Sequence, residues 1–400
     1  MVPIAACTIV SKNYLAYAKT LCQSFKKFNP DSPFYVLLVD EMGDLNLEGE
    51  HFEIFEAKKI GVTDFRRISF RFGILELNTN LKPSFLKFLM KEKLIERLLY
   101  IDPDIQIVNE IQPVFDSLDD ANIILTPHCT SPIEDGMKPN EQDFLSSGVF
   151  NLGFIGIKNT SETLKFLDWW ENRCLTLGFH ELRTGLFVDQ KWCNLVPCLF
   201  EGVKIVKNAG WNMAYWNLHE RRLSKSNDIW LVNDNIPLIF FHFSGIAVDQ
   251  PSEISRHQNR YDLSSRSDLK ELFDQYRKTL IENNMDFYKK FKYYYGAFSN
   301  GILINQLART YYVINEDRFA FADPFDSTSD FYKACQQKNI LSNSDGSAKY
   351  NTMTYNSSDS RIKFINSSLR IVLKILGGDR YSMLMKYLSY ISILRNQKFL

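Results

Sequence analysis

Residues 98–105 read Leu98-Leu99-Tyr100-Ile101-Asp102-Pro103-Asp104-Ile105, and the end of this stretch decides the fold reading. The apolar run predicts a buried strand. Two carboxylates follow at i and i+2, which in extended backbone project to the same side. Pro103 fixes φ and removes an N–H, so the pair is held stiffly. Two hard oxygen ligands at the carboxyl end of a central strand suit Mg²⁺ or Mn²⁺, ions that commonly carry a diphosphate. The same residues also make an ordinary turn, because Asp and Pro both favour turns. The stretch alone leaves the turn and ligand readings open.

The chain before it supplies a frame. Residues 3–10 are apolar and partly β-branched, and Ser11-Lys12-Asn13 breaks the run. Leu15, Ala18, Leu21, Cys22 and Phe25 then recur at helical spacing, and Phe34–Val39 forms a second strand run closing on Asp40. This βαβ opening predicts an α/β fold with a mostly parallel central sheet and right-handed crossovers. Ligands of such sheets sit beyond the carboxyl ends of the strands. Further along, a helix is expected over 82–94, a strand over 121–125, a glycine-bearing strand over 148–157, a helix over 162–175 and a last strand over 236–243 that runs into His242-Phe243-Ser244-Gly245.

Composition removes several alternatives. The 400 residues carry zero formal net charge, so nothing global points to nucleic acid. The seven cysteines are scattered with no CxxC pair, which disfavours zinc and redox motifs and fits a reducing compartment. Neither a signal peptide nor an apolar run of about 18 residues is visible. The expectation is a cytoplasmic protein.

After residue 258 the pattern becomes helical. The reading divides the chain into a catalytic domain over 1–258, a helical extension over 259–322, a linker over 323–360 rich in Ser, Asn and Asp, and a tail over 361–400. The tail holds eight Lys or Arg against the single acid Asp379, with apolar residues at helical spacing. It reads as a helix for an anionic membrane surface, which would make the protein peripheral on the inner face. The alternative is a helix packed on its own domain with a solvated basic face.

Taken in order, Ser11-Lys12-Asn13-Tyr14, Asp102-Pro103-Asp104, Asn151-Leu152-Gly153-Phe154, Val188-Asp189-Gln190 and His242-Phe243-Ser244-Gly245 resemble the GT-A glycosyltransferases. The likeness is to the retaining family-eight members and to bacterial enzymes of surface-polysaccharide clusters, and it covers roughly the first 260 residues. It implies a Rossmann-like nucleotide-sugar-binding domain and a transferase that takes a nucleotide-diphosphate sugar, a UDP-sugar in the favoured form, to a glycan or lipid-linked acceptor. Asp102, Asp104 and His242 would hold Mn²⁺ or Mg²⁺. Thr8, Ser11 and Asn13 would meet the nucleotide, and Asn151, Asp189 and Gln190 would surround the sugar, with Gln190 stabilising an oxocarbenium-like transition state. Asn13 and Asp189 also suit helix N-caps, and His242 also suits a hydrogen-bonded core histidine.

One departure stands out. The family follows its His-x-x-Gly with a lysine that clamps the diphosphate, whereas Ile246-Ala247-Val248-Asp249-Gln250-Pro251 has no base. Lys82, Arg256 or Arg260 would take its place. The gap keeps an inverting transferase in play. A catalytically silent glycan-binding or scaffold protein on the same fold is a further alternative. A phosphatase with a nucleophilic Asp fits poorly, since its motif belongs on the first strand.

Overall fold

The computed structural model describes residues 2–341 and 360–397, which form two compact units. One holds the chain up to Phe65 together with Ile74–Tyr294; the other holds Arg66–Gly73 and the chain from Tyr295 onward. The first unit thus runs past residue 258, where the sequence reading set a boundary, to Tyr294. The helix Lys270–Glu282 explains why: its Leu272, Phe273, Tyr276 and Leu280 share a buried cluster with Phe241 and Phe243.

In the first unit, β1 (Val2–Val10), β2 (Phe34–Leu38), β3 (Glu53–Glu56), β4 (Ile95–Ile101), β6 (Ile123–Leu125), β7 (Phe154–Lys158) and the strand Val203–Ile205 build a seven-stranded sheet. The short β5 (Ile105–Ile107) belongs to another sheet. Across the main sheet the order is Val203–Ile205, β6, β7, β4, β1, β2, β3. The run β4-β1-β2-β3 is parallel throughout, and β7 lies antiparallel to both β4 and β6. The sheet is thus the mostly parallel α/β sheet expected.

Strand β1 is buried from Ala5 to Val10 and β2 throughout, as the continuous apolar runs of a parallel sheet require. The helix Leu15–Phe28 lays Leu15, Ala18, Leu21, Cys22 and Phe25 on a core with Val10, Leu99, Ile101, Ile107, Phe154 and Phe240.

The predicted strand over 148–157 begins only at Phe154. Residues 148–153 instead form the approach to the sheet edge, and Gly148 has φ +129°, which no strand uses. The expected strand over 236–243 splits into Ile236–Pro237 and Phe240–His242. Phe240–His242 forms the centre of a three-stranded sheet, parallel to Met213–Ala214 and antiparallel to β5.

In the second unit the linker reading of 323–360 needs correction. Asp330–Gln337 is a helix capped by Ser329, with Phe331, Tyr332 and Cys335 buried. Three apolar anchors at helical spacing outweigh the polar composition around them. Residues 342–359 of that stretch lie outside the described residues. The tail is the helix Ser360–Ile391, interrupted at Gly377 (φ +74°, ψ 168°).

Arg309 organises this unit. Its buried guanidinium donates to the carbonyls of Phe70 at 2.6 Å, Phe72 at 2.7 Å and Tyr295 at 2.7 Å. Truncation would leave these carbonyls, and that of Ser69 at 3.2 Å, without their charged donor. Hydrogen bonds to charged groups contribute about 1.5–3 kcal/mol each, so Arg309→Ala is expected to destabilise this unit by at least about 3 kcal/mol. Urea unfolding followed by tyrosine fluorescence checks this, and an unchanged midpoint would contradict it.

Candidate functional site

Strand register assembles the site. Ile101 pairs with Phe154, so the next ladder bond runs from Asp102 N–H to the Gly153 carbonyl at 2.7 Å. The chain then turns: Ile105 N–H returns to the Asp102 carbonyl at 3.1 Å. Asp102-Pro103-Asp104 is therefore a tight turn rather than the extended pair expected, and the turn itself brings the carboxylates together. Ile105 pairs with His242, and His242 pairs with Ala214 on its other side. One sheet edge and one turn thus bring Asp102, Asp104, Gly153 and His242 to a single point.

There the ligand atoms of Asp102, Asp104 and His242 lie within 4.8 Å of one another. His242 Nε2 stands 3.0 Å from Asp104 Oδ1 and 3.9 Å from Asp102 Oδ2. Tyr100 fixes the other Asp102 oxygen by donating its hydroxyl proton to Oδ1 at 2.6 Å. Burial disfavours charge on His242, but Asp104 and then Asp102 outweigh it and raise its pKa. Two carboxylates and an imidazole could hold a divalent cation and leave positions open for other oxygens.

Gly153 shows how tightly this point is filled. A Cβ there would overlap the His242 ring and lie 2.8 Å from Asp102 Oδ2 and 2.9 Å from Asn151 Oδ1. No side chain fits while those three groups converge.

The remaining predicted residues have distinct places. Thr8 is buried within β1 and its Oγ1 has no hydrogen-bond partner. At the carboxyl end of β1, Ser11 Oγ donates to Asn13 Oδ1 at 2.6 Å. Asn13 caps no helix; it sits in a 3₁₀ turn (Lys12–Tyr14) ahead of the helix, and Asp40 accepts from Lys12 N–H at 2.7 Å instead. Asn151, Asp189 and Gln190 are all buried. The Gln190 amide is held at both ends, accepting from Leu152 N–H and donating to the Ser147 carbonyl, each at 3.1 Å.

Lys82 is not placed to clamp a phosphate. It is 2% exposed, and its ammonium donates to Asp189 Oδ2 and to the Leu152 carbonyl, both at 2.6 Å. Burial opposes the ammonium, but Asp189 together with Asp102 more than offsets it and raises the Lys82 pKa; burial also raises the Asp189 pKa, against the pull of Lys82. Asp189 caps no helix either; its carboxylate is occupied by Lys82. Arg260 is likewise engaged, donating to Asp135 Oδ1 and to the Pro139 carbonyl, each at 2.9 Å. Arg256 is exposed and has no carboxylate partner among the described residues. Its charge acts on Tyr14, Tyr17 and His257, groups on which Asp104 also acts. Gly245, at φ +70°, makes the turn that lets Arg256 N–H reach the Gly245 carbonyl at 3.0 Å.

Sequence reasoning gave no role to Tyr100, Asn212 or Tyr14, and took Gly153 for part of a strand. Tyr14 is 41% exposed beyond β1 and stacks on Tyr17 at 4.7 Å. Tyr100 had a usable signal: it lies two residues before Asp102 and so on the same side of the strand.

No family model matches the chain. Two proteins of Bacillus subtilis (strain 168) are similar to it. The uncharacterized protein YfnF is 26% identical over 284 residues, which is 69% of this chain and 91% of YfnF. The uncharacterized protein YfnD is 27% identical over 258 residues, 62% of this chain and 79% of YfnD. Among solved structures, the galactosyltransferase LgtC in complex with donor and acceptor sugar analogues matches at 16% identity and TM-score 0.38, over 69% of this chain and 95% of LgtC. The glycosyltransferase GlyE of Streptococcus pneumoniae TIGR4 matches at 16% identity and TM-score 0.42, over 74% of this chain and 67% of GlyE.

The packing at Gly153 is open to direct test. Gly153→Ala is expected to displace His242 or Asp102, to weaken Mn²⁺ binding by at least tenfold and to lower stability by about 1–3 kcal/mol. Isothermal titration with Mn²⁺ and a thermal melt measure both quantities. A variant that binds Mn²⁺ as tightly as the parent would refute the packing argument.

Proposed function

We propose that the chain is a metal-dependent glycosyltransferase of GT-A type. In this reading it moves a sugar from a nucleotide-diphosphate donor, a UDP-sugar in the favoured form, to a glycan or lipid-linked acceptor in surface-polysaccharide biosynthesis. The observation that carries the reading is the convergence of Asp102, Asp104 and His242 at the carboxyl end of a mostly parallel sheet, with Gly153 left bare to admit it. The fixed order of the sequence motifs supports it.

Asp102, Asp104 and His242 would hold Mn²⁺ or Mg²⁺, which when bound supplies charge neutralisation and Lewis acidity toward the diphosphate. Arg256 is the cation for the remaining phosphate charge, in place of the lysine missing after Gly245. Ser11, Asn13 and Tyr14 offer polar and aromatic contacts to the nucleoside. Leu152 and Ser147 hold the Gln190 amide in place, and the second lone pair of its oxygen would stabilise developing positive charge at the anomeric carbon. Retention is favoured because Asp189, the carboxylate beside Gln190, is committed to Lys82. An inverting enzyme needs a general base free to take the acceptor proton. A silent scaffold would have no use for a site packed this closely.

Mn²⁺-dependent release of nucleoside diphosphate from a panel of nucleotide-sugars, with and without acceptor extract, tests the reading. The expected result is activity with one donor class, lost on chelation, with the product's anomeric configuration by NMR matching the donor's. Arg256→Ala should raise the donor KM about tenfold or more, the scale of a charge-assisted phosphate contact. Silence with every donor would leave the scaffold reading, and an inverted product would remove retention.

The tail supports a second element of the proposal, contact with an anionic membrane surface. Within Ser360–Ile391 only Ile362 is buried, while Phe364, Ile371, Ile375 and Met383 are each more than half exposed. Among the described residues no helix is long and apolar enough to cross a membrane. An exposed helix mixing apolar and basic residues suits the interface instead. Deleting 361–400 should abolish sedimentation with anionic vesicles at low salt, and undiminished sedimentation would return the tail to a packing role.

A further inference from the structure

Asn151 and Asn212 form a buried polar chain behind His242 whose direction follows from the structure. Backbone N–H groups only donate, so the contact of Gly153 N–H with Asn151 at 3.2 Å makes the Asn151 side-chain oxygen the acceptor. That oxygen then faces Asn212 at 2.9 Å, which makes the Asn212 contact atom its NH₂ group. The same NH₂ donates to Thr126 Oγ1 at 3.0 Å. The Asn212 oxygen is therefore left facing His242 Nδ1, at 3.3 Å. An amide oxygen can only accept, so Nδ1 carries a proton, and the lone pair of the neutral ring is on Nε2, the nitrogen beside Asp102 and Asp104. At the far end the Asn151 NH₂ points at Nε2 of His128, 3.4 Å away. Burial pushes the His128 pKa down to about 4, so this ring is neutral and its Nε2 accepts.

Local geometry keeps the chain rigid. Asn212 sits at φ +54°, a conformation that Asn tolerates better than most residues. Asn217 Nδ2 donates to the carbonyls of Asn212 at 3.0 Å and His128 at 3.1 Å, pinning the two segments together. Trp216 stands edge-on to both the His242 and His128 rings, at 5.1 and 5.3 Å.

We infer that Asn212 is a positioning residue for the metal site: Gly153 N–H, Asn151 and Asn212 form a one-directional relay that holds His242 as the Nδ1-protonated tautomer with Nε2 aimed at the ion. The inference rests on the metal reading of Asp102, Asp104 and His242. It gives Asn151 a role behind the ligand instead of a sugar contact. Partners of this kind typically change metal affinity by about 10- to 100-fold when removed.

The test is Mn²⁺ binding to the full chain, read by electron paramagnetic resonance with the metal alone, alongside long-range ¹H–¹⁵N spectra of the ring nitrogens at saturating Mg²⁺. Asn212→Ala is expected to weaken Mn²⁺ binding by about 10- to 100-fold and to lose the protected Nδ1 proton. Asn212→Asp keeps an acceptor for Nδ1–H but has no donor for the Asn151 oxygen, so it should retain the Nδ1 proton and recover only part of the affinity. A purely space-filling Asn212 would leave the ring spectrum of the alanine variant unchanged, and that outcome, or parental Mn²⁺ affinity, overturns the relay. If the alanine variant does not fold by near-ultraviolet circular dichroism, Thr126→Val carries the test, since it removes one anchor of the amide and should cost about three- to tenfold in affinity. Failure of the parent protein to bind Mn²⁺ would overturn the metal reading and the relay together, whereas parental affinity in the variants overturns the relay alone.

Discussion

The bond from Asp102 N–H to the Gly153 carbonyl is the constraint on which the site depends. It is the last rung of the β4–β7 ladder, and past it neither strand continues. The chain from Asp102 turns at once into a second sheet, and the chain before Gly153 comes in through the buried residues Phe150, Asn151 and Leu152. Asp104, Asn151 and His242 all lie within a few residues of that rung or of its register partners. A one-residue slip between β4 and β7 would exchange the faces of every side chain beyond it. The buried apolar residues of both strands resist such a slip, so core packing and ligand geometry are set by the same register.

Charge is arranged in two separate layers at this place. Deeper in, Lys82 and Asp189 satisfy one another, with the Lys82 ammonium 4.3 Å above the Tyr100 ring. Nearer the surface, Asp102 and Asp104 share His242. Tyr100 joins the layers, since its ring lies under the ammonium and its hydroxyl bonds Asp102. The inner pair contributes position more than net charge, and removal of one partner alone would strand the other in a dry interior.

Local pattern made much of this visible in the sequence. The βαβ opening followed from continuous apolar runs separated by a helical period, and the carboxylate pair and His242 followed from strand ends. The bond between Lys82 and Asp189 was hidden because 107 residues separate them. Each had a reasonable surface role when read alone, and only the fold shows that they spend their charges on each other. Asn212 was hidden for a related reason: a single Asn in a loop carries no periodic signal, and its direction depends on a backbone amide 59 positions earlier. The helix Asp330–Gln337 was obscured by the Ser, Asn and Asp around it, although Phe331, Tyr332 and Cys335 carry its buried face. Turn and ligand readings at Asp102-Pro103-Asp104 are compatible, because the turn is what brings the two carboxylates together.

Asp40 bears on where this chain can be divided. One of its oxygens accepts from Lys12 N–H, at the first turn after β1, and the other accepts from Tyr294 N–H at 2.9 Å. A single buried carboxylate thereby fastens the beginning of the first unit to its end. A fragment stopped near residue 258, where the strand pattern fades, would leave half of that carboxylate without its donor. It would also strip the helix Lys270–Glu282 from Phe241 and Phe243, uncovering the strand that presents His242. The smallest portable form of the site is therefore set by a knot of hydrogen bonds near Tyr294, well past the last strand.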